Sequence, residues 1–207
     1  MARSTSDNIW IFVIICTCEI LSLEDCKDNG AGMPYPVDDL RTIIPLKLGA
    51  SWTYREISTD TNDVKDTAII IERVIGEEDS LSQHYYVMEQ SRNGSLDFQY
   101  YETISADQYV RYALRPKILL QTPVERGSIW PVSFPRFRPA ASMEIMSADT
   151  SIRLIDRTYE HVIAIREFAG DYYALGIYFI APEIGIIHEV HDYSSFISRR
   201  ELMSINF

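Results

Sequence analysis

Residues 27–207 contain no cysteine, because Cys16, Cys18 and Cys26 are the only three in the 207-residue chain. That absence excludes a disulfide framework, a thiolate metal site and a cysteine nucleophile from the body of the protein. Its stability must come from a packed core. Basic charge is scarce as well. Nineteen Lys and Arg face thirty Asp and Glu, a formal net charge of -11. The densest basic pairs, Arg136/Arg138 and Arg199/Arg200, are too small to form a phosphate track. Nucleic acid is therefore not an expected partner. No apolar run reaches the roughly 20 residues that a bilayer-crossing helix needs, and apolar stripes at helical spacing are hard to find after residue 45. Glycine loops that cradle phosphate, the G-x-S-x-G elbow and H-E-x-x-H are also missing. No cofactor is implied.

What is present points to β-structure. Hydrophobic residues make up 46% and charged residues 24%, ordinary usage for a globular body. Thirteen Tyr and eight Phe join many Ile and Val, the residues that suit a pleated surface. Period-2 alternation predicts strands over Ser51–Ser58, Asp66–Ile75, His84–Gln90, Leu96–Ile104 and Gln108–Leu114 in one half. In the other half it predicts Ser142–Met146, Ile152–Arg157, Val162–Phe168, Tyr172–Ile180, Gly185–Asp192 and Phe196–Ile205. Within the first strand, Trp52, Tyr54 and Glu56 fall on one side. Within the second, Thr67, Ile69, Ile71 and Ile75 share a face. Asn93-Gly94 is the strongest hairpin signal, since both residues tolerate positive φ. Gly170-Asp171 and Ala181-Pro182 supply further breaks, Glu77-Glu78 reads as part of a turn, and Phe134–Pro139 is too proline-rich for a central strand. About eleven strands with short connections imply an all-β, antiparallel meander sheet, strongly curved into a half-open barrel or a sandwich.

The N-terminus reads differently. Ile9–Cys18 is a ten-residue apolar run after Arg3, ended by Glu19. It fits the central region of a secretory signal peptide over residues 1–26, the other reading being a buried strand or helix of the mature protein. Cysteines at the end of such a run raise a lipoprotein reading. Cys18 and Cys26 are the candidate lipid-attachment sites, with membrane contact only through that acylation. Residues 27–44 form a linker with a short turn or helix around Pro36–Leu40, and residues 45–207 form one β-rich domain.

That domain carries one motif twice. Pro45-Leu-Lys-Leu-Gly49-Ala-Ser-Trp52 returns as Pro123-Val-Glu-Arg-Gly127-Ser-Ile-Trp130, dividing the domain into pseudo-repeats 45–122 and 123–207. Proline suits the point where a chain enters a sheet, glycine permits a positive-φ turn, and tryptophan opens the strand as a large apolar anchor. The first copy, running on to Tyr54, resembles the PLKxGxxWxY opening of a family of uncharacterised bacterial lipoproteins and secreted envelope proteins. Tyr178-Phe-Ile-Ala-Pro182-Glu-Ile-Gly185-Ile-Ile-His-Glu189 resembles that family's closing signature, approximately YWYAPGVGLVKEE. The family's V-P-A-G-T-F turn is replaced here by Asp156–Tyr159. The resemblance implies a β-rich fold and an exported location, in the periplasm or attached to the outer membrane. It implies no catalytic residues.

The chemistry-bearing residues form no local site. In His188-Glu-Val-His191-Asp192 a strand would turn His188 and Asp192 to one face and Glu189 and His191 to the other, so the segment reads as solvated positions of an edge strand and not as a metal site. The tyrosines, from Tyr85-Tyr86 to Tyr178, read as sheet packing before pocket lining. No catalytic, cofactor-binding or metal-binding residue is assigned. The function expected is non-catalytic binding or scaffolding in the cell envelope, with an unknown protein or a hydrophobic ligand as partner. One alternative is a carrier of a hydrophobic ligand in a half-open barrel. The other is an envelope hydrolase or sugar-processing enzyme, built from groups that converge from separate strands.

Overall fold

Among the described residues, twelve antiparallel strands follow one 3-10 turn, Leu40–Thr42, in the computed structural model of the chain. The structure describes residues 39–113, 116–132, 141–155, 157–169, 173–193 and 195–207. Residues 1–26 with Cys18 and Cys26, Pro36, the 134–139 stretch, Asp156 and Gly170-Asp171 lie outside the described residues.

The strands are β1 (Ser51–Asp60), β2 (Lys65–Ser80), β3 (Gln83–Arg92), β4 (Ser95–Ile104), β5 (Gln108–Tyr112) and β6 (Pro116–Gln121), then β7 (Ile129–Pro131), β8 (Ala141–Leu154), β9 (Arg157–Ala169), β10 (Tyr173–Ala181), β11 (Gly185–Asp192) and β12 (Phe196–Asn206). They form one sheet in the order β6-β5-β4-β3-β2-β1-β12-β11-β10-β9-β8-β7. Each set of six is a meander, and β1 pairs with β12 to join the two. At the other side the edges meet. The Ile118 N–H donates to the Val132 carbonyl at 3.0 Å, and the Trp130 indole N–H donates to the Ile118 carbonyl at 3.0 Å. The sheet is thus a nearly closed barrel, which removes most of the exposed edge an open sheet would carry.

Local chemistry explains most of the turns. Asn93 and Gly94 have φ of 50 and 81°, as a two-residue hairpin turn requires. The Asn93 side chain also accepts the Ile69 N–H at 2.8 Å. Leu81 and Ser82 make the β2–β3 turn with φ of 50 and 64°, without any glycine to announce it. Glu77 and Glu78 therefore belong to β2, opposite Tyr86 and Tyr85, and not to a turn. Ser142–Met146 and Ile152–Leu154 belong to one strand, β8. Register shifts between Ile145 and Ile152 break its alternation and make it read as two. Arg157–Tyr159 opens β9 instead of forming a loop, with Thr158 opposite Arg153. β6 and β7 are short strands that periodicity does not reveal.

The barrel has a plugged end and an open end. At the plugged end Leu40, Ile43 and Ile44 are buried in a cluster with Leu120, Trp130 and Ile180. The Leu40 N–H donates to the Ala106 carbonyl at 3.0 Å, and Ile43 accepts from the Glu183 N–H at 3.0 Å. A second cluster gathers Trp52, Ile70, Val74, Met88, Phe179 and Leu202. On β2 the buried face is Ala68, Ile70, Glu72 and Val74. The Thr67, Ile69, Ile71 and Ile75 stripe faces outward.

The two P-x-x-x-G-x-x-W copies adopt the same local geometry. Gly49 and Gly127 have φ of 86 and 85°. Their N–H groups donate to strand carbonyls of Val74 and Ile145, at 2.9 and 2.8 Å. Both indoles are 4% exposed. The Trp52 N–H donates to the Ile184 carbonyl at 2.7 Å, and the Tyr54 hydroxyl donates to the Ile186 carbonyl at 3.0 Å. Gly185, with φ of 91°, lies where a Cβ would stand 3.8 Å from both Pro45 Cδ and Trp52 Nε1. Pro182, in the same β10–β11 turn, precedes it. Two motifs from opposite ends of the sequence thus meet at the plugged end.

Candidate functional site

Strand alternation that buries Trp52 and Tyr54 also turns Glu56 into the barrel, and neighbouring strands repeat the pattern. Glu72, Glu102 and Glu189 project inward from β2, β4 and β11, and all four carboxylates are almost fully buried. Buried carboxylates persist only when paired and hydrogen-bonded. Two guanidinium groups do the pairing. Arg200 Nε donates to Glu56 Oε2 at 2.8 Å, and its Nη1 lies 3.3 Å from both Glu72 Oε1 and Gln90 Oε1. Arg111 Nε donates to Glu102 Oε1 at 2.7 Å, and its guanidinium carbon stands 5.1 Å from the centroid of the Tyr100 ring. Glu72 and Glu189 each lie between the two cations. Glu72 is 3.7 Å from Arg111 and 3.3 Å from Arg200, and Glu189 is 3.7 and 3.9 Å from them. The result is a closed ring of alternating charge.

Further pairs extend it. Arg92 donates to Glu56 Oε1 and reaches Asp66 at 3.4 Å. On the opposite wall Lys117 Nζ lies 2.5 Å from Glu167 Oε2, and the Tyr178 hydroxyl donates to the same oxygen at 3.0 Å.

The ring divides its carboxylates by environment. Burial alone would raise Glu189, but the His191 hydrogen bond and the charges of Arg111 and Arg200 outweigh it and hold Glu189 well below the ordinary carboxylate range. Burial likewise raises Glu56, and hydrogen bonds from Arg200 and Arg92 bring it below its usual value. Glu102 goes the other way, because burial outweighs the attraction of Arg111. Burial opposes the Arg200 charge, yet Glu189 and Glu72 keep it well above the usual value.

An inner cavity of about 180 Å³ lies against this ring, lined by Glu56, Gln90, Tyr100, Arg111, His191 and Arg200 among others. It shares Glu56, Tyr193 and Ser198 with a wider vestibule of about 520 Å³ at the open end, where Asp60, Val64, Arg92 and Phe196 form the walls. Tyr193 and Phe196 stack there, with centroids 4.6 Å apart and planes 25° from parallel. The Tyr100 hydroxyl has no hydrogen-bond partner among the described residues, although the side chain is only 2% exposed. A buried hydroxyl is normally satisfied; this one is enclosed in the wall beside the cavity and does not open into it.

The structure revises the reading of 188–192. β11 lies between β10 and β12 and is not an edge. Glu189 and His191 face the lumen, with His191 Nε2 3.5 Å from Glu189 Oε2. His188 lies on the other face, its Nδ1 2.8 Å from the Arg200 carbonyl oxygen. His84 pairs with Asp79 at 2.8 Å on the β2–β3 hairpin, and His161 with Asp149 at 3.0 Å on β8–β9. The four histidines are therefore scattered. No group of three His, Cys, Asp or Glu that could hold a metal occurs among the described residues. Pro45, Gly49, Trp52, Pro182 and Gly185 gather at the plugged end, and Pro123, Gly127 and Trp130 at the β6–β7 seam. None of them lines the cavity or the vestibule. Sequence spacing alone does not assemble the ring. Its signal was W-x-Y-x-E at Trp52–Glu56, Y-x-E at Tyr100–Glu102 and Y-x-R at Tyr109–Arg111, where charge continues a buried aromatic face.

No protein-family model matches the sequence, and no curated protein matches it. Solved structures with related geometry include a Bacteroides fragilis protein described as exported and of YmcC-like fold. Its TM-score is 0.49 at 11% identity, covering 80% of this chain and 99% of that one. A Parabacteroides distasonis protein described as a lipoprotein follows at 0.42 and 10%, covering 80% and 98%. An outer membrane lipoprotein-sorting protein domain from Vibrio parahaemolyticus gives 0.27 and 8%, covering 77% and 85%.

Proposed function

We propose that this protein is an exported envelope protein whose barrel binds a small polar ligand at its open end, without chemistry. The export part rests on the apolar Ile9–Cys18 run and on the resemblance of the motifs at Pro45–Tyr54 and Tyr178–Glu189 to envelope lipoproteins, with Cys18 or Cys26 as the acylated residue. The binding part rests on one observation: an inner cavity, lined by paired charges with Gln90 and Tyr100 among them, that joins an aromatic-walled vestibule. A filled structural core would place apolar groups there at lower cost.

A hydrophobic ligand fits this lumen poorly, because Glu56, Glu189, Arg111 and Arg200 all reach the inner cavity. A sugar-cleaving enzyme of the two-carboxylate kind needs a protonated carboxyl facing its substrate. Glu102, the lumen carboxyl that burial raises, lines neither the inner cavity nor the vestibule but only a space of about 20 Å³ beside Trp52 and Gly185, too small for a sugar. Binding is the function this geometry supports best.

The test uses protein isolated from its own membrane fraction, where intact mass reads acylation at Cys18 or Cys26. Thermal unfolding is then followed with the polar low-mass fraction of the same envelope, and separately with its lipid extract. The polar fraction is expected to stabilise the protein, by about 2.7 kcal/mol when ligand stands at roughly 100 times its Kd. Stabilisation by lipid alone, or by neither fraction, contradicts the reading.

A further inference from the structure

The geometry points to an uncharged saccharide as the ligand, with one sugar ring in the inner cavity and the following units in the vestibule; this inference rests on the binding reading above.

Charge narrows the class first. The inner cavity is lined by two carboxylates, Glu56 and Glu189, and two guanidinium groups, Arg111 and Arg200, so its fixed side-chain charges balance. These groups already serve one another in the ring. A ligand with a net charge would find no free counter-charge and would leave its own charge unpaired in a desolvated space. The vestibule adds Asp60 and Asp66 against Arg92, an acidic balance that opposes the entry of anions. A cation would be drawn to the vestibule but would then meet Arg111 and Arg200 inside. Neutral ligands remain.

Shape and hydrogen-bonding capacity narrow it again. At about 180 Å³ the inner cavity is smaller than the roughly 300–1,000 Å³ usual for drug-sized ligands, so it takes one small ring and not a chain. Its walls differ in kind. Phe98 offers aromatic surface within the cavity, Tyr193 offers it at the junction with the vestibule, and Phe196 and Val64 extend apolar surface into the vestibule. The depths offer carboxylate acceptors, guanidinium donors and the Gln90 amide, and the Ser198 hydroxyl stands where the cavity meets the vestibule. Carboxylate oxygens still have lone pairs for further donors after pairing, and an Arg fork presents five N–H groups. A molecule that matches both walls has an apolar C–H face and a rim of hydroxyls that donate and accept. A sugar ring has both, and aromatic side chains suit a ligand that is apolar on one side and wet on the other.

The experiment follows the imidazole Cε1–H resonances of the full chain, in which His191 is one of four histidines and the only one lining the cavity. Separate titrations use neutral monosaccharides and their oligomers, choline, inorganic phosphate and octanoate. Neutral sugars are expected to shift His191 while leaving His84 and His161 in place. Tyr193→Ala, at an exposed position, and Ser198→Ala are each expected to weaken that binding about tenfold. If choline or phosphate moves His191 and sugars do not, the saccharide class is wrong while the polar binding site stands. A shift with octanoate alone replaces both readings by a hydrophobic carrier. If none of the compounds moves His191, both readings fall.

Discussion

Arg200→Met is expected to destabilise the barrel by about 3–5 kcal/mol, the usual cost of removing one partner from a buried ion pair. Methionine fills similar space, so the loss is electrostatic. Glu56 and Glu72 lose a direct hydrogen-bond donor, and Glu189 loses a cation 3.9 Å away. Arg111 and Arg92 remain, but they cannot neutralise Glu56, Glu72 and Glu189 together. The contrasting change is Glu102→Gln, which is expected to cost less than about 1 kcal/mol at neutral pH. Burial already disfavours the Glu102 charge, and a glutamine oxygen still accepts from Arg111 Nε. Urea unfolding of both variants reads the difference directly.

The ring also sets a pH dependence. Glu189 and Glu56 have folded-state pKa values below their ordinary 4.5, so each contributes stability that is present above about 4.5 and is lost as pH falls below it. Glu102 is raised and acts oppositely, favouring the fold while protonated and losing that contribution as pH rises. The depressed pair governs the acid side. Wild type is therefore expected to lose stability on acidification below the carboxylate range, and Arg200→Met to show a flatter profile there, since the interaction that acid would remove is already gone.

Trp52→Ala is expected to cost about 3–5 kcal/mol, as large-to-small changes of buried aromatics do. The indole is 4% exposed inside the second apolar cluster and packs edge-on against Phe207 with centroids 6.0 Å apart. Its N–H holds the Ile184 carbonyl at the β10–β11 turn, so the change also strands a backbone acceptor. Trp52→Phe separates the two contributions. It retains most of the apolar fill and loses the hydrogen bond, an effect expected near 1 kcal/mol. A Trp52→Ala loss below about 1 kcal/mol would mean that the opening and closing motifs do not hold the plugged end together.

The strands were legible where alternation met a turn residue. Asn93-Gly94 announced its hairpin, and Gly49-x-x-Trp52 announced the entry to β1. Legibility failed where register shifts inside β8 blurred the period, and where Leu81-Ser82 turned the chain without glycine. On β2 it failed for another reason. The buried face carries Glu72 among Ala68, Ile70 and Val74, while the outward face carries three isoleucines, so hydrophobicity alone selects the wrong side. The same property hid the candidate site. A charged residue on an inward position looks like solvent-facing polarity until the partner strand is known, and the partners of Glu56 and Glu72 on Arg200 lie far along the chain. Long-range pairing of β1 with β12 is what brings opposite charges together, and no local pattern encodes it. His188–Asp192 shows the limit clearly. The alternation of its side chains could be read locally, but its place in the interior of the sheet could not.

The central claim is that the lumen cavity is a site built for an occupant and is not a defect of the core. Ser198→Ala tests this most directly, because it removes one hydroxyl from the wall shared by the cavity and the vestibule. The unliganded variant should stay within about 1 kcal/mol of wild type toward urea, while its affinity for sugar falls about tenfold. A loss of more than about 1 kcal/mol in the unliganded protein, with sugar affinity unchanged, would show that the wall serves the fold itself, and would contradict the account.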